Sequence, residues 1–264
     1  MKYENLGETT SVKTVSETGT EGVFEIEGLY SGYGVTVGNA LRRVLLSSLP
    51  GAAITQAKIK GASHEFGTLD GVAEDIVEII LNLKRVRFQM HTSEPQVLLL
   101  RVKGERAITG ADMVTNSDVE VITPDAHIAT ITDKGTEFEM EVTIEKGLGY
   151  VASETRKAEK LPIGVIALDA IFSPVIKVHF SVENMRIGDR TDYNKLRIAI
   201  VTDGSMTPSQ ALSQSGVILQ DYFAKLTDLE VQEVTQGSSK AQKVTEITKK
   251  KVAKKTKTKN KEEK

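Results

Sequence analysis

Hydrophobic and polar residues alternate with a period of two in several short segments of the chain, and this pattern predicts β-strands. The clearest example is 138–145, where every second residue is apolar and the residues between them are glutamate or threonine. Other segments show the same alternation or are rich in β-branched residues and leucine. The predicted strands are 24–27, 96–102, 138–145, 176–182 and 196–201.

Three further segments carry apolar residues at the spacing of an α-helix. Apolar residues from Val72 to Leu83 form one stripe, with acidic residues early and basic residues directly after it, as the helix dipole favours. A second helix is predicted over 208–226, because Thr207 can cap its start and Pro208 fits its first turn. A third is predicted over 39–49. Strands and helices do not alternate regularly, which favours a mixed α+β fold.

The segment 32–54 joins a glycine-rich turn to the third predicted helix. Its apolar face and flanking cations are Leu41, Val44, Leu45, Leu46, Arg42 and Arg43. Arginine beside a broad apolar face is typical of a protein–protein contact. The same pattern also fits a core helix whose arginines face water, so periodicity leaves both interpretations open.

Glycines at positions 32, 34 and 38 suggest a comparison with nucleotide-binding turns. Their spacing is one residue longer than the dinucleotide fingerprint, whose last glycine would fall on Val37. A glycine-lysine-serine or glycine-lysine-threonine phosphate loop does not occur in the sequence. Nucleotide binding is therefore not favoured.

The composition narrows the chemistry that the chain can perform. It has no cysteine, which excludes disulfides, thiolate nucleophiles and sulfur-ligated metal sites. Its four histidines have no spaced metal partners, and no tight pair of aspartates suggests a magnesium site. No apolar run approaches the ~20 residues of a membrane span, and the N-terminus lacks the apolar core of a secretory signal. We expect a cytoplasmic protein that binds no cofactor.

Charge is distributed unevenly along the chain. Residues 236–264 contain eleven lysines and three glutamates, a net charge of +8, which leaves −10 on the other 235 residues. This lysine-rich composition cannot bury a core and predicts a disordered tail. The tail contains no aromatic residue and no arginine, so any contact with DNA would be nonspecific and made to phosphates. A solvated tail without a partner is the alternative.

Three blocks of sequence resemble a known family. The first is GYGVTVGNALRRVLLSSLPGAAI at 32–54, the second is HEFGTLDGVAEDIVEIILNLK at 64–84, and the third joins DAIFSPV at 169–175 to DRTDYNKL at 189–196. Together they resemble the N-terminal domain of the alpha subunit of bacterial-type DNA-directed RNA polymerases, a transcription protein. The order of the blocks is that of the family, and they span most of residues 20–235.

This resemblance implies a fold of two modules and a set of partners. Residues 1–50 with 175–235 would form a dimerisation module, and 51–174 would be an inserted α/β module. The dimer would be the platform on which the beta and beta-prime subunits assemble. The helices 39–49 and 208–226 would pack against a second copy, and a monomer would expose much of their apolar faces. The implied dimer contacts are Leu41, Val44, Leu45, Leu212, Leu219 and Phe223.

The resemblance also implies contacts with the two large subunits. Beta would meet Arg43, Leu46 and Glu78, and beta-prime would meet Lys84, Leu168, Val175 and Lys195. The apolar residues Leu46, Leu168 and Val175 could equally be ordinary core. Catalysis, a nucleotidyltransferase reaction, would belong to beta and beta-prime, where acidic residues hold magnesium.

Many members of this family continue into a small C-terminal DNA-binding domain, and we expect this chain to lack it. A bacterial source is expected, with a plastid less favoured. Two other functions stay open on the residues alone. One is a free-standing nucleic-acid-binding protein that acts through the lysine tail, and the other is a small-molecule enzyme.

Overall fold

A computed structural model describes residues 10–62, 64–157, 162 and 164–227. All contacts discussed below lie within the first of the chain's two units, which ends at Phe223. In chain order the described elements are β1 (Ser11–Glu17), β2 (Glu21–Leu29), α1 (Tyr33–Ser47), β3 (Pro50–Ile59), α2 (Ile76–Leu83), β4 (Phe88–Met90), β5 (Gln96–Lys103), β6 (Arg106–Thr109), β7 (Met113–Val114), β8 (Val119–Val121), β9 (His127–Ile131), β10 (Glu137–Leu148), β11 (Tyr150–Val151), α3 (Ser153–Lys157), β12 (Val165–Ala167), β13 (Ala170–Ile171), β14 (Val175–Ile187), β15 (Arg190–Thr202) and α4 (Pro208–Thr227). Strands predominate and helices are interspersed, so the predicted α+β fold class is confirmed. The lysine-rich tail at 236–264 lies outside the described residues.

The first sheet joins strands from opposite ends of the described chain. Its antiparallel order is β1-β2-β15-β14. Phe24 lies opposite Ile198 and Ile26 lies opposite Leu196, and all four side chains are buried on the same face. The strands predicted over 24–27 and 196–201 are confirmed, and their alternation exists because only one face of this sheet is covered.

Strand β14 departs from the predicted alternation at its start. The sequence predicts that Ile176 points inward with Val178, but Ile176 is exposed and Val175 is buried instead. The register shifts between Val175 and Lys177, which inserts one extra residue opposite β15. Such a bulge reverses the facing of the residues before it, so the prediction for Ile176 is wrong.

Helix α1 packs across β14 and β15 and begins six residues before the predicted start at Asn39. Glycine disfavours helix interiors, which is why the sequence pattern hides the first turns. A Cβ atom on Gly34 would lie 2.6 Å from Val182 Cγ1, and one on Gly38 would lie 2.7 Å from the Phe180 ring. The two glycines therefore allow the helix to approach the sheet, and this tertiary contact outweighs the local propensity.

Helix α4 covers the same face of the first sheet and matches its predicted range to within one residue at its end. The Gln210 N–H donates to Thr207 Oγ1 at 3.4 Å, so the predicted threonine cap is present. Helices α1 and α4 and the sheet share one apolar core. It contains Phe24, Ile26, Leu29, Leu41, Leu45, Leu49, Val175, Val178, Leu196, Ile198, Ile200 and Ala211.

The second sheet is built from residues between the two halves of the first. Its order is β7-β5-β10-β3-β4-β8, and β12 pairs with β3. The strands predicted over 96–102 and 138–145 are its β5 and β10, which lie side by side. Helix α2 buries Ile76, Ile79 and Leu83 in a separate core against this sheet. Two-stranded pairs β6–β9 and β11–β13 complete the described fold.

Helix α2 is shorter than the stripe from Val72 predicts. It begins at Ile76, where Asp75 is the N-cap and its side chain accepts from the Glu78 N–H at 2.7 Å. Val72 instead forms an isolated bridge to β9, and the Glu74 carboxylate accepts from the backbone of β9. An extended segment packed on a strand can share the spacing of a helix, so the predicted first turn is wrong.

Candidate subunit interface

Helix α1 presents opposite faces to its own sheet and to solvent. The predicted dimer contacts Leu41, Val44 and Leu45 are all buried within the single chain, and Leu45 is 0% exposed. The expectation that a monomer would expose them is wrong, because this helix packs on β14 and β15 of its own chain. As the chain is folded, these three residues have little surface to offer a second copy.

The other face of α1 forms an exposed stripe. Val35, Asn39, Arg42 and Leu46 follow one another at i, i+4, i+7 and i+11, and Arg43 flanks them. The stripe includes two of the predicted beta contacts, Arg43 and Leu46. Neither arginine forms an ion pair within residues 10–62, 64–157, 162 and 164–227. The guanidinium groups are thus available to an external acceptor without breaking an internal contact.

Helix α2 carries the third predicted beta contact and one predicted beta-prime contact. Glu78 is exposed, and the described part of the chain supplies no cation to pair with its side chain. Lys84 Nζ, by contrast, lies 2.9 Å from Asp169 Oδ2 and is half-buried. The two residues therefore differ in setting, one open to solvent and the other engaged within the chain.

The Asp169 carboxylate is strongly stabilised in its ionised form. The Ser153 N–H donates to Asp169 Oδ1 at 2.9 Å, and Lys84 binds the other oxygen. The backbone donor at Ser153 and then the Lys84 ammonium lower the pKa of Asp169 to about 2. This contact ties α2 to the segment before β13, beside the predicted contact Leu168.

The fourth charged position, Lys195, also has internal partners. Its Nζ lies 2.9 Å from Glu25 Oε2 and 4.0 Å from Glu27 Oε1, across the β2–β15 pair. The Glu25 carboxylate raises the pKa of Lys195 above its ordinary value. Lys84 and Lys195, both predicted to meet beta-prime, could meet an external carboxylate only by sharing or exchanging these ion pairs.

Leu168 and Val175, also predicted to meet beta-prime, are buried in the two cores of the chain. The Leu168 N–H donates to the Thr55 carbonyl at 2.9 Å, which fixes it beside β3. Val175 is buried in the core of the first sheet because the bulge in β14 turns it inward. Their burial favours the alternative interpretation, ordinary core, over direct contact.

Helix α4 carries an apolar stripe that extends beyond its own core. The stripe repeats at Ala211, Ser215, Leu219 and then Tyr222 and Phe223. Ala211 and Ser215 are buried and Leu212 and Leu219 are half-buried, but Tyr222 is 64% and Phe223 is 60% exposed. The sheet covers the first turns of this face and leaves the aromatic end without cover.

An apolar groove opens between α1, α4 and the strands β1 and β2. Its volume is about 380 Å³. Leu41, Leu212 and Gly216 line its helical wall, and Phe24, Ile26 and Val12 line its strand wall. The predicted dimer contacts Leu41 and Leu212 are thus among the residues that line this groove.

Comparison of the sequence with known proteins shows which family the chain belongs to. A family model described as "RNA polymerase Rpb3/RpoA insert domain" matches residues 57–173. The DNA-directed RNA polymerase subunit alpha of Alkaliphilus oremlandii is 46% identical over 244 residues, which are 90% of this chain and 76% of the relative. The chain belongs to the DNA-directed RNA polymerase alpha subunit family. The alpha subunit of Symbiobacterium thermophilum is 46% identical over 84% of this chain and 71% of its own, and that of Oceanobacillus iheyensis is 48% identical over 81% and 69%.

Membership of the alpha-subunit family confirms the resemblance seen in the three sequence blocks. The matched range 57–173 lies inside the segment 51–174 predicted as the inserted module. In the part of the chain that the structure describes, no three His, Asp or Glu side chains gather as metal ligands. Within those same ranges no helix is long and apolar enough to cross a membrane.

Three residues that the structure places at or beside the candidate interface were not predicted from the sequence. Tyr222 lies in the periodic stripe of α4 and could have been found from that spacing. Val35 was hidden because the first turns of α1 were not predicted as helix. Asn194 reaches the start of α1 from β15, and no local pattern marks a contact between residues so far apart in sequence.

Proposed function

We propose that this chain is a non-catalytic assembly subunit of a DNA-directed RNA polymerase that acts in the cytoplasm. Two copies form a dimer, and the dimer is the platform on which the beta and beta-prime subunits assemble for transcription. Nucleotide addition, with its magnesium, belongs to those partners. Family membership supports the polymerase context, and the uncovered aromatic end of α4 is the observation that carries the dimer.

The dimer contact proposed is between the aromatic end of α4 in one copy and the apolar groove of the other. Tyr222 and Phe223 are large, rigid and exposed, and residues of this type supply much of the binding energy at protein interfaces. Leu212 and Gly216 line the groove, together with the small exposed part of Leu41. In a twofold arrangement each copy both inserts and receives, so one contact is made twice.

The test is Phe223→Asp in the full chain, with the mass in solution measured by sedimentation across a concentration series. A central aromatic contact is worth ~2 kcal/mol, and two equivalent contacts should weaken dimerisation by about a thousandfold. Phe66→Asp is the matched control, because Phe66 is also an exposed phenylalanine but lies before α2. A Phe223→Asp protein that dimerises like the Phe66→Asp protein would refute this contact.

The beta-binding surface proposed is the exposed stripe of α1 together with Glu78 on α2. Arg43 and Arg42 carry no internal ion pair among the described residues. A carboxylate or backbone carbonyl of beta can therefore bind them without breaking an ion pair within the chain. Arginine is favoured in this role because its planar group donates several directed hydrogen bonds. Leu46, which the structure leaves exposed, adds apolar contact.

Co-purification of tagged beta with Arg43→Ala tests this surface. Binding should fall by about tenfold or more, as expected when a charged hydrogen bond of ~1.5–3 kcal/mol is removed, while the dimer persists. Arg101→Ala is the control, because Arg101 is an exposed arginine on β5 that pairs with Glu137. Equal recovery of beta with both variants would contradict the assignment.

The beta-prime contact is proposed at Lys84 and Lys195, while Leu168 and Val175, which the resemblance also assigns to beta-prime, are buried in the two cores. A charged contact of this kind predicts that Lys84→Ala and Lys195→Ala weaken beta-prime binding more at low salt than at high salt. Retention of beta-prime by the double variant at low salt would count against it.

We also propose that the chain is divided into modules at 1–50 with 175–235 and at 51–174. The support is that β1, β2, β14 and β15 form one sheet, while the other large sheet is built from β3, β4, β5, β7, β8, β10 and β12. The lysine-rich tail at 236–264 is proposed to contact DNA phosphates nonspecifically. Equal mobility shifts of short duplex DNA by chains with and without the tail would end that proposal.

A further inference from the structure

A buried asparagine lies beneath the first turn of α1. Asn194 is on β15, is 7% exposed and has all of its side-chain polar atoms engaged. Its Oδ1 accepts from the Gly32 N–H at 2.9 Å and from the Gly34 N–H at 3.3 Å. Its Nδ2 donates to Asn184 Oδ1 at 3.1 Å, on the neighbouring strand β14.

The start of α1 uses this contact because the residue before the helix supplies no side-chain cap. The residue before the helix is Gly32, which has a positive φ of 84° and no side chain to accept a hydrogen bond. The first N–H groups of a helix need acceptors from outside the helix. Asn194 supplies one from a strand 160 positions away, so the start of the helix is tied directly to the first sheet.

The contact also requires glycine at position 34. A Cβ atom there would lie 3.0 Å from Asn194 Cβ and 2.6 Å from Val182 Cγ1. Contacts this short force the helix away from the strands. Gly34 and Asn194 therefore form one unit, in which the backbone approaches closely enough for a single oxygen to bind two N–H groups.

We infer that Asn194 is a positioning residue for the beta-binding surface, because it fixes the first turn of α1 and so presents Val35 in line with Arg42 and Leu46. The inference rests on the proposed function, which assigns the exposed stripe of α1 to beta. Val35 directly follows the clamped Gly34 and is exposed at the start of that stripe. Without the clamp the first turn opens in the unbound state, and beta must re-form it on binding.

The experiment compares four variants of the full chain by affinity for purified beta and by hydrogen exchange at residues 32–35. Asn194→Ala removes the shared acceptor. Asn194→Asp keeps it and adds a negative charge at a helix start, where the dipole favours one. Asn184→Ala removes only the partner of Nδ2. Gly34→Ala disturbs the same contact from the helix side and serves if Asn194→Ala does not fold.

Asn194→Ala and Gly34→Ala should bind beta about tenfold more weakly and exchange the amides at 32–35 faster. The reason is that the first turn loses the stabilisation of about one hydrogen bond. Asn194→Asp should stay within about twofold of the unaltered chain, because exposed Asn184 can rotate to donate its own NH₂ group. Asn184→Ala should match the unaltered chain. Asn194→Leu, measured alongside, fills a similar volume without an acceptor and should bind beta as weakly as Asn194→Ala. Recovery of beta binding by leucine would show that Asn194 acts only by filling space.

Arg43→Ala, measured alongside, separates this inference from the proposed function. Normal beta binding by Arg43→Ala would refute the proposed surface. Weakened binding by Arg43→Ala together with normal binding by Asn194→Ala and Gly34→Ala would refute only the role of Asn194. A loss with Asn194→Asp as large as with Asn194→Ala would also overturn it, because the acceptor is then not what matters.

Discussion

Replacement of Gly38 by alanine adds one methyl group between α1 and the first sheet. The new Cβ atom would lie 2.7 and 2.8 Å from two carbons of the Phe180 ring and 3.0 Å from Leu196 Cδ1. Carbon atoms in contact prefer about 3.5–4.0 Å, so either the helix or these side chains must move by several tenths of an ångström. Leu196 is fully buried, so its movement would disturb neighbouring core side chains.

Two opposing effects set the expected change in the free energy of unfolding. Alanine is favoured over glycine in a helix interior by ~1 kcal/mol. Overpacking of a filled core costs ~1–3 kcal/mol. Gly38→Ala should therefore range from nearly neutral to ~2 kcal/mol less stable. Gly216→Ala is the matched control, because Gly216 lies in α4 and an added Cβ atom there meets nothing within 4 Å.

The difference between the two variants isolates the packing effect, because the helix propensity gain is common to both. For a chain of this size, ~1–3 kcal/mol corresponds to a difference of roughly 2–12 °C in Tm. Thermal and urea unfolding are followed at two protein concentrations, which separates any effect of Gly216→Ala on self-association through the groove that it lines. If both alanines raise Tm equally, the close approach of α1 to its sheet is refuted.

Three other changes test the same structure. Leu45→Ala should lower the free energy of unfolding by ~2–5 kcal/mol. Urea titrations at two protein concentrations should give the same loss, because a loss that depends on protein concentration would show that Leu45 contacts a second copy. Gly51→Ala should cost ~3 kcal/mol or more, because its Cβ atom would overlap the backbone carbonyl oxygen of Phe172, so unchanged unfolding would contradict the close approach of Phe172 to β3. Asp169→Asn tests the lowered pKa: because the folded pKa of about 2 lies below the ordinary 3.8, Asp169 stabilises the chain above pH 4 and loses that contribution as pH falls towards 2. Urea unfolding from pH 6 to pH 2 should show the two proteins converging, and a constant difference would be the contrary result.

Strands and the last helix were accessible from the sequence because one face of each is covered and the other faces water. The alternation over 138–145 and the Thr207–Pro208 start of α4 report this directly. Predictions failed where a distant segment changes the local rule. The bulge in β14 turned Ile176 outward, and Val72 packs on β9 as extended chain rather than helix.

The sequence by itself determined the family, the fold class and which residues share a face of each helix. Only the tertiary structure decided what covers each face. Leu41, Val44 and Leu45 have the spacing of an interface stripe, yet the chain's own strands bury them, while Tyr222 and Phe223 continue the stripe of α4 past the sheet into solvent. The periodicity of a helix shows which of its faces is apolar. What buries that face is a set of strands more than a hundred residues away in sequence, and a local pattern carries no information about them.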